Sequence, residues 1–326
     1  MYLVIGSNSF TGSHIVDALL EDPANQVIGI SRSPEYKDIF LPYTKRDNPN
    51  FTFIQLDIIR QFRDLQELLE RIKPKIVINV AALSEVVLSH DIPKEYFSTN
   101  TLGVVGLCDH LRKTGFIHQY VHISSAEIFG SCDSPVDENT GFNPSTPYAV
   151  SKASADMYIN TLIKNFDFPA TIIRSTNVYG PHQQLFKIIP RTMIYLKLGG
   201  KIELHGGGKS VKSFLHVRDV VEGLMKTIEG TRFGTYHFSG VNKHSVAQIV
   251  ENICKTMGQD FESSTIETAE RLGQDDQYIL SCVKSEIELG WKAKVPFSQG
   301  LNEVFEWIDN NWSVIQKENL TYIHKP

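Results

Sequence analysis

The sequence predicts an α/β protein with a doubly wound parallel sheet, and two observations lead to this fold class. The chain opens with an apolar, β-branched run at residues 1–5, a glycine-bearing turn follows at once, and residues 14–20 have helical periodicity. Apolar runs of strand length then alternate with helical segments as far as residue 177. Such alternation forms a parallel sheet with helices on both faces, which binds ligands at the carboxyl ends of its strands.

The turn after the first strand has the spacing of a loop that binds dinucleotide phosphates. Gly6 and Gly12 occupy the first and third glycine positions of the pattern G-x-x-G-x-x-G, and Ser9 occupies the middle one. Serine fits there if its φ angle stays negative, and its hydroxyl can donate to a phosphate. The N-terminus of the following helix favours anions, so Phe10 and Thr11 join these residues in a predicted pyrophosphate site. A purely structural turn is the alternative.

The second strand, at residues 26–30, predicts which cofactor is bound. Its carboxyl end should meet the adenosine ribose, where an acidic residue would repel a 2′-phosphate. The chain has no acid there; it has Ser31 and Arg32, followed by another serine. This arrangement suits a 2′-phosphate, so the sequence favours NADP over NAD. The alternative is an exposed arginine in a loop.

Later segments are expected to line the same cofactor. The strand at 51–56 ends in an acid that can accept a hydrogen bond from the adenine amino group. The strand at 76–80 ends in small residues that let the backbone lie along the cofactor, and a long helix is predicted over 94–114. The cofactor-binding residues expected from these segments are Asp57, Ile58, Ala81, Ala82 and Asn100.

A tyrosine and a lysine in the predicted helix at 147–165 indicate redox chemistry. Tyr148 and Lys152 are four residues apart and therefore share one helix face. A free phenol has a pKa near ~10, and a neighbouring ammonium lowers that pKa. The pair can then move a proton during oxidation of an alcohol or reduction of a ketone. An isolated pair of this kind more often lies on the solvated surface of a helix. The strand–turn–helix at the start of the chain is what favours a functional pair here.

These motifs resemble a known family. The glycine turn, the Tyr148/Lys152 pair, the segment from Ser124 to Gly130 (SSAEIFG) and the run RSTNVYGP at 174–181 look like an extended short-chain dehydrogenase/reductase. Within it, the chain is most similar to nucleotide-sugar 4,6-dehydratases, epimerases and decarboxylases. The resemblance covers nearly the whole chain.

The resemblance implies a role for each matching residue. Tyr148 would take the proton from the carbon-4 hydroxyl of the sugar, and Lys152 would bind the nicotinamide ribose and lower the tyrosine pKa. Ser124 or Ser125 would hydrogen-bond the carbon-4 oxygen. The cofactor would be tightly bound NADP or NAD. The nucleoside-diphosphate sugar would contact Ser84, Asn177, Lys187, Lys212 and Arg271.

Glu127 and Ala126 leave the reaction open. A carboxylate at Glu127 can remove the carbon-5 proton once carbon 4 is a ketone, as a 4,6-dehydratase requires. Thymidine-diphosphate-glucose dehydratases have an acidic residue where this chain has Ala126. We therefore expect a 4,6-dehydratase, with UDP-GlcNAc one candidate substrate, in which water, Ser125 or Tyr148 supplies the proton. The alternatives are a 4-oxidase, 4-epimerase or 4-ketoreductase acting on a 6-deoxy or 5,6-unsaturated sugar, and a non-catalytic nucleotide-binding protein.

The predicted architecture has two parts. Residues 1–177 should form an NAD(P)-binding Rossmann domain, to which the chain returns near 212–240. Residues 178–326 should form most of a smaller, mixed α/β lobe that binds the nucleotide sugar. Family members pair the helices at 94–114 and 147–165 in a homodimer, for which Ala149, Ala153, Met157 and Leu162 offer a surface; the alternative is that these side chains face the home sheet.

Composition excludes several classes of protein. The net charge is −5, with no basic cluster, so nucleic acid is not an expected partner. The four cysteines are scattered without metal-ligand spacing, which predicts reduced thiols and no metal site. The first strand leaves no room for a signal peptide, and no apolar run reaches the ~20 residues of a membrane helix. The expected location is cytoplasmic.

Overall fold

The computed structural model describes residues 1–45, 48–269, 275–322 and 324. Within these ranges the strands are β1 (Tyr2–Ile5), β2 (Val27–Ser31), β3 (Phe51–Gln55), β4 (Ile76–Asn79), β5 (Gln119–Ser125), β6 (Ala170–Ser175), β7 (Asn177–Tyr179), β8 (Ile202–His205), β9 (Val211–His216), β10 (Gly234–Phe238), β11 (Lys243–Ser245) and β12 (Thr265–Thr268).

The α-helices in the same ranges are α1 (Phe10–Leu19), α2 (Phe62–Ile72), α3 (Leu88–Asp91), α4 (Pro93–Tyr96), α5 (Gly103–Leu111), α6 (Pro147–Phe166), α7 (Ile188–Lys197), α8 (Val217–Glu229), α9 (Val246–Met257), α10 (Phe261–Ser264), α11 (Val283–Leu289), α12 (Phe297–Asn310) and α13 (Trp312–Ile315). None of the helices in the described part of the chain is long and apolar enough to span a membrane.

The main sheet has seven strands in the order β10-β6-β5-β4-β1-β2-β3, and all its neighbours are parallel. The prediction of a doubly wound parallel sheet is confirmed. Because the strand order reverses between β1 and β4, the carboxyl ends of these two strands open a crevice in which such sheets bind ligands.

Apolar side chains cover both faces of this sheet. Successive residues of a strand point to opposite faces, so Val4 packs with α1 and α8, whereas Leu3 and Ile5 pack with α2, α5 and α6. Strands buried on both faces explain the nearly continuous apolar runs in the sequence.

The smaller lobe contains a three-stranded sheet, β11-β9-β7, and the pair β8-β12. Its apolar core comes from α7, α9 and α12, and Trp307 is buried in it. The chain returns to the large sheet through α8 and β10, whereas residues 211–216 stay in the small sheet as β9. The domain boundaries themselves stay a prediction.

The long helix predicted over 94–114 is interrupted. A π-helical segment, Phe97–Leu102, separates α4 from α5, and the α-helix ends at Leu111. Asn100 lies in this segment, and its side chain is tied to Leu83 and Ser151. Helical periodicity does not reveal a π-helical segment, because one widened turn keeps most apolar residues on the same face.

Candidate active site

The turn between β1 and α1 requires glycine at two positions. Gly6 has φ +85°, and a Cβ atom there would lie 2.8 Å from the backbone nitrogen of Ala81. A Cβ atom at Gly12 would lie 2.1 Å from the carbonyl oxygen of Gly6. The turn therefore lies directly against the end of β4. As at any helix N-terminus, the first N–H groups of α1, at Phe10 and Thr11, have no acceptor within the helix.

Ser9 caps this helix. Its φ angle is −76°, which allows serine at a position where the motif has glycine. Its hydroxyl donates to the carbonyl oxygen of Gly6 at 2.7 Å and accepts from the backbone N–H of Gly12 at 3.2 Å. The hydroxyl thus stabilises the turn itself, and the phosphate contact predicted for it stays a prediction. An anion-binding helix N-terminus behind a glycine turn fits the pyrophosphate of a dinucleotide.

Asn8, which the sequence analysis did not single out, links this turn to the end of β2. Its side-chain amide donates to the carbonyl oxygens of Ser33 and Pro34, at 3.1 and 2.9 Å. Its backbone N–H donates to the hydroxyl of Ser31 at 3.2 Å. These bonds position the partly exposed Arg32 at the edge of the predicted ribose site.

Three other predicted cofactor residues have partners within the protein. One carboxylate oxygen of Asp57 accepts from the backbone N–H groups of Ile59 and Arg60, at 2.8 and 3.0 Å. Ile58 is buried next to it. The amide of Asn100 exchanges hydrogen bonds with the backbone of Leu83, so in this structure it positions the loop after Ala81 and Ala82. A cofactor contact for each of these residues stays a prediction.

The Tyr/Lys pair lies at the start of α6. Thr146 caps the helix by accepting from the N–H of Ala149, and Tyr148 and Lys152 are both buried. The Lys152 ammonium donates to the carbonyl oxygen of Ile123 at 2.6 Å and lies 3.3 Å from Nε2 of His122. Burial lowers the pKa of Lys152 to about 8. Helix α6 therefore brings both side chains to the carboxyl end of β5.

The pKa of the Tyr148 phenol is opposite to the prediction. Burial raises it above the usual value, and the carboxylate of Glu127 raises it further, whereas a hydrogen bond with Ser125 lowers it. The prediction that this pKa is lowered is wrong for this structure, because the free-energy cost of burying a phenolate dominates. A lowering contribution from Lys152 itself stays a prediction. The Ser125 contact places a hydroxyl beside the phenol, where the carbon-4 oxygen is expected. Ser124 is also buried, and its hydroxyl has no hydrogen-bond partner among the described residues.

Glu127 stands in a short 3-10 turn, Ala126–Phe129, immediately after β5. Its backbone N–H donates to the Ser125 hydroxyl at 3.2 Å. Burial raises the pKa of its carboxyl to about 7, the ammonium of Lys212 opposes the rise, and the carboxylate of Asp275 adds to it. The group can therefore take up or release a proton near neutral pH.

The predicted substrate residues come from distant segments. Lys187 forms an ion pair with Glu85, and Lys212 donates to the carbonyl oxygen of Asp275 at 2.9 Å. Asn177 accepts from the hydroxyl of Tyr278 at 3.0 Å. Ser84 is exposed beside the Glu85 ion pair, and Arg271 lies outside the described residues.

Electrostatic coupling shows that these segments converge. The charges of Lys212 and Lys187 act on the pKa of Glu127, and the charge of Glu85 acts on the pKa of both Glu127 and Tyr148. Sequence reasoning missed Glu85 and Tyr278, which belong to no motif. The described residues contain no group of three or more histidine, cysteine or acidic side chains placed to bind a metal, and all four cysteines are free thiols.

Comparison with known proteins decides the family. The model of the GDP-mannose 4,6 dehydratase family matches residues 3–304. The chain belongs to this family. It is 30% identical over 326 residues to human dTDP-D-glucose 4,6-dehydratase, covering 97% of this chain and 92% of the relative. It is 26% identical to the dTDP-glucose 4,6-dehydratase of Haemophilus influenzae, over 94% and 96% of the two chains.

Solved structures agree. DesIV of Streptomyces venezuelae, a dTDP-glucose 4,6-dehydratase with NAD bound, superposes with a TM-score of 0.87 at 29% identity, covering 96% of this chain and 98% of that one. The UDP-glucuronic acid 4-epimerase of Bacillus cereus shares the fold, with a TM-score of 0.87 at 24% identity. The predicted membership in the extended short-chain dehydrogenase/reductases of nucleotide-sugar dehydratase and epimerase type is confirmed, and this family member is an enzyme.

Proposed function

We propose that the protein is a 4,6-dehydratase of a nucleoside-diphosphate hexose. The observation that carries this proposal is the Glu127 carboxyl, which has a pKa of about 7 and whose charge acts on the pKa of the Tyr148 phenol. Oxidation at carbon 4 alone has no use for a carboxyl group of this kind, whereas elimination across carbons 5 and 6 requires one. The relatives named dTDP-glucose 4,6-dehydratase support the same reaction class.

The first step is oxidation at carbon 4. The hydroxyl of Ser125 would hydrogen-bond the carbon-4 oxygen, and Tyr148 in its phenolate form would accept the hydroxyl proton. Burial disfavours the phenolate and raises the pKa of Tyr148, so the positive charges of Lys152 and of bound NAD would have to offset part of that cost. When bound, NAD(P) would supply the hydride acceptor for this step and the hydride donor for the last one. The ammonium of Lys152 stabilises the charge that develops near the phenol.

Elimination of water follows. The carbon-4 ketone acidifies the carbon-5 proton, and Glu127 in its ionised form removes it. Ala126 has no proton to give, so we assign the second proton transfer to Glu127 as well: the carboxylic acid just formed protonates the carbon-6 hydroxyl, the C6–O bond breaks and water leaves. A 4-keto-6-deoxy sugar would result when a hydride is added at carbon 6 and a proton from solvent at carbon 5, while Tyr148 releases to solvent the proton that it took from the carbon-4 hydroxyl. A pKa of about 7 suits a group that acts in both directions.

Substrate binding is assigned to the far side of the cleft. The positive charges of Lys187 and Lys212 lower the pKa of Glu127. These two cations would bind the diphosphate together with Asn177. Arg271 is predicted to join them. The hexose and the base stay open; dTDP-glucose and UDP-glucose occur in the names of relatives, and UDP-GlcNAc is retained from the sequence prediction.

NAD is the cofactor that we propose. Solved relatives carry NAD, and the comparisons give no support to the NADP preference inferred from Arg32. Competitive titration of the purified protein with NAD and NADP tests this choice, since a preference for NADP would restore the argument from Arg32.

The decisive experiment is incubation of the purified protein with dTDP-glucose, UDP-glucose, UDP-GlcNAc and GDP-mannose, without added reductant, followed by mass spectrometry. A dehydratase produces a sugar nucleotide lighter by one water. The matched variant Glu127→Gln should oxidise carbon 4 and then stop, without exchange of the carbon-5 proton with deuterated solvent. Exchange at the native rate in this variant would remove Glu127 from the mechanism.

Ala126 favours a second candidate, a 4-epimerase or 4-ketoreductase, because such reactions need no acid for a leaving hydroxyl. The same incubation separates the candidates. A product of unchanged mass with altered configuration indicates an epimerase, and stoichiometric consumption of reduced cofactor on a 4-keto sugar indicates a reductase. Either result overturns the dehydratase proposal.

We also propose a homodimer through α5 and α6. Of the four side chains predicted for this surface, Ala149, Ala153 and Leu162 are buried in the home core, and Met157 is 60% exposed. Leu102 is also exposed, at 63%, on the segment that precedes α5. Exposed apolar side chains on neighbouring helices are typical of an interface. Light scattering should show a dimer that Met157→Asp weakens.

A further inference from the structure

A chain of buried polar groups ends at Lys152 of the Tyr/Lys pair. Asn79, Tyr120 and His122 are all 1% exposed or less. Asn79 donates to the Tyr120 hydroxyl at 3.1 Å, that hydroxyl lies 3.3 Å from Nδ1 of His122, and Nε2 of His122 lies 3.3 Å from the Lys152 ammonium. The mechanism proposed above uses none of these three side chains.

The direction of every hydrogen bond in this chain is fixed from its two ends. At one end, the backbone N–H of Ala81 donates to Oδ1 of Asn79 at 3.2 Å, so the amide NH2 of Asn79 faces Tyr120. At the other end, the Lys152 ammonium has only protons to offer, so Nε2 of His122 must accept. Nδ1 of His122 then carries the ring proton and donates to the Tyr120 oxygen. The phenolic proton is directed to the buried thiol of Cys108.

We propose that His122 is a positioning residue, held as the neutral Nδ1–H tautomer, whose Nε2 fixes the ammonium of Lys152 at the carboxyl end of β5. An imidazolium would place an N–H proton against the ammonium, and burial and the charge of Lys152 both lower the pKa of His122. The tautomer follows from hydrogen bonding alone; its catalytic consequence rests on the proposed function.

A neutral acceptor has a specific effect on Lys152. Among the described residues its hydrogen-bond acceptors are the carbonyl oxygen of Ile123 and His122, which carry no charge, and the carboxylate of Asp156 raises its pKa. A carboxylate in the place of His122 would raise the pKa of the lysine. The imidazole therefore fixes the position of the ammonium and leaves its pKa near 8.

Nitrogen NMR of histidine-labelled protein tests the tautomer without reference to activity. We expect the two ring nitrogens of His122, assigned by loss of signal in His122→Gln, to have the shifts of a protonated Nδ1 and an unprotonated Nε2, unchanged between pH 6 and 7, where Lys152 is protonated. A protonated Nε2, or titration in this range, overturns the proposal. An inactive protein with the expected tautomer would contradict the proposed function and leave this assignment standing.

A matched pair of variants tests the positioning role. The amide of His122→Gln reaches the place of Nε2 and keeps an acceptor for Lys152, whereas His122→Asn reaches only the place of Nδ1. We expect His122→Asn to weaken cofactor binding about tenfold and to shift the pH dependence of turnover, and His122→Gln to restore most of both. Equal losses in two variants that fold with native circular dichroism would overturn the role, because packing alone would then explain them.

Discussion

The cofactor side and the substrate side of the cleft are built in different ways. On the cofactor side, Gly6 and Gly12 share one turn, and Tyr148 and Lys152 share one helix face. On the substrate side, each cation is paired with a distant residue: Lys187 and Glu85 are 102 positions apart in the chain. The first side depends on local backbone geometry, and the second depends on the packing of the two lobes.

Because of this difference, the residues of the cofactor side can be predicted from the sequence more readily than those of the substrate side. A turn that needs glycine, or a pair spaced four residues apart on a helix, leaves a pattern in neighbouring letters. A contact such as that between Asn177 and Tyr278 joins segments 101 residues apart and leaves none. Variants on each side should therefore have different kinds of effect.

The largest effect is expected on the cofactor side. Tyr148→Phe removes the proton acceptor for carbon 4, so turnover should fall about 10²–10⁴-fold while cofactor binding is retained. Steady-state kinetics and a cofactor titration measure the two quantities. Tyr158→Phe, on the same helix, is the control and should keep native turnover. Native activity in Tyr148→Phe would remove the phenol from the chemistry.

The ionised carboxyl of Glu127, which lies between the two sides, should reduce the free energy of unfolding. Its pKa is raised from 4.5 to about 7, so between these values the unfolded chain ionises first and the free energy of unfolding falls as pH rises. Glu127→Gln should therefore stabilise the protein by about 1–3 kcal/mol at pH 8, and by much less at pH 5. Urea denaturation at both pH values measures this, with the exposed Glu306→Gln as control. An equal gain at the two pH values would contradict the raised pKa.

A moderate effect is expected from Arg32, at the adenosine end of the cofactor side. If its guanidinium contacts a 2′-phosphate, Arg32→Ala should weaken NADP binding about tenfold and leave NAD binding near its native value. Fluorescence titration with both cofactors measures the ratio, and Arg63→Ala, on exposed helix α2, is the control. Parallel losses for NAD and NADP would show that Arg32 does not distinguish the two.

The smallest effect is expected from the ion pair that joins the two lobes. Glu85→Gln removes a negative charge that raises the pKa of Glu127, so the acidic limb of the turnover profile should move to lower pH by less than about one unit. Profiles of turnover against pH for native protein, Glu85→Gln and the exposed Glu262→Gln measure the shift. Movement to higher pH would contradict the sign of this coupling.

From the sequence alone one could predict the parallel sheet, the glycine turn and the shared face of Tyr148 and Lys152 on α6, because apolar periodicity and backbone sterics act over a few residues. Serine fits position 9 of the turn only if its φ angle is negative, and the structure meets this condition with a φ of −76°. Long-range hydrogen bonds leave no such periodicity, and for that reason Asn8 and Glu85 were missed.

The protonation properties of the site depend on the three-dimensional packing around it. Burial raises the pKa of Tyr148, against the expectation from Lys152, and it raises the pKa of Glu127 to about 7. Packing also places the side chain of His122 between Tyr120 and Lys152. Desolvation and charge coupling depend on what surrounds a group in three dimensions, and a spacing of letters carries no measure of either.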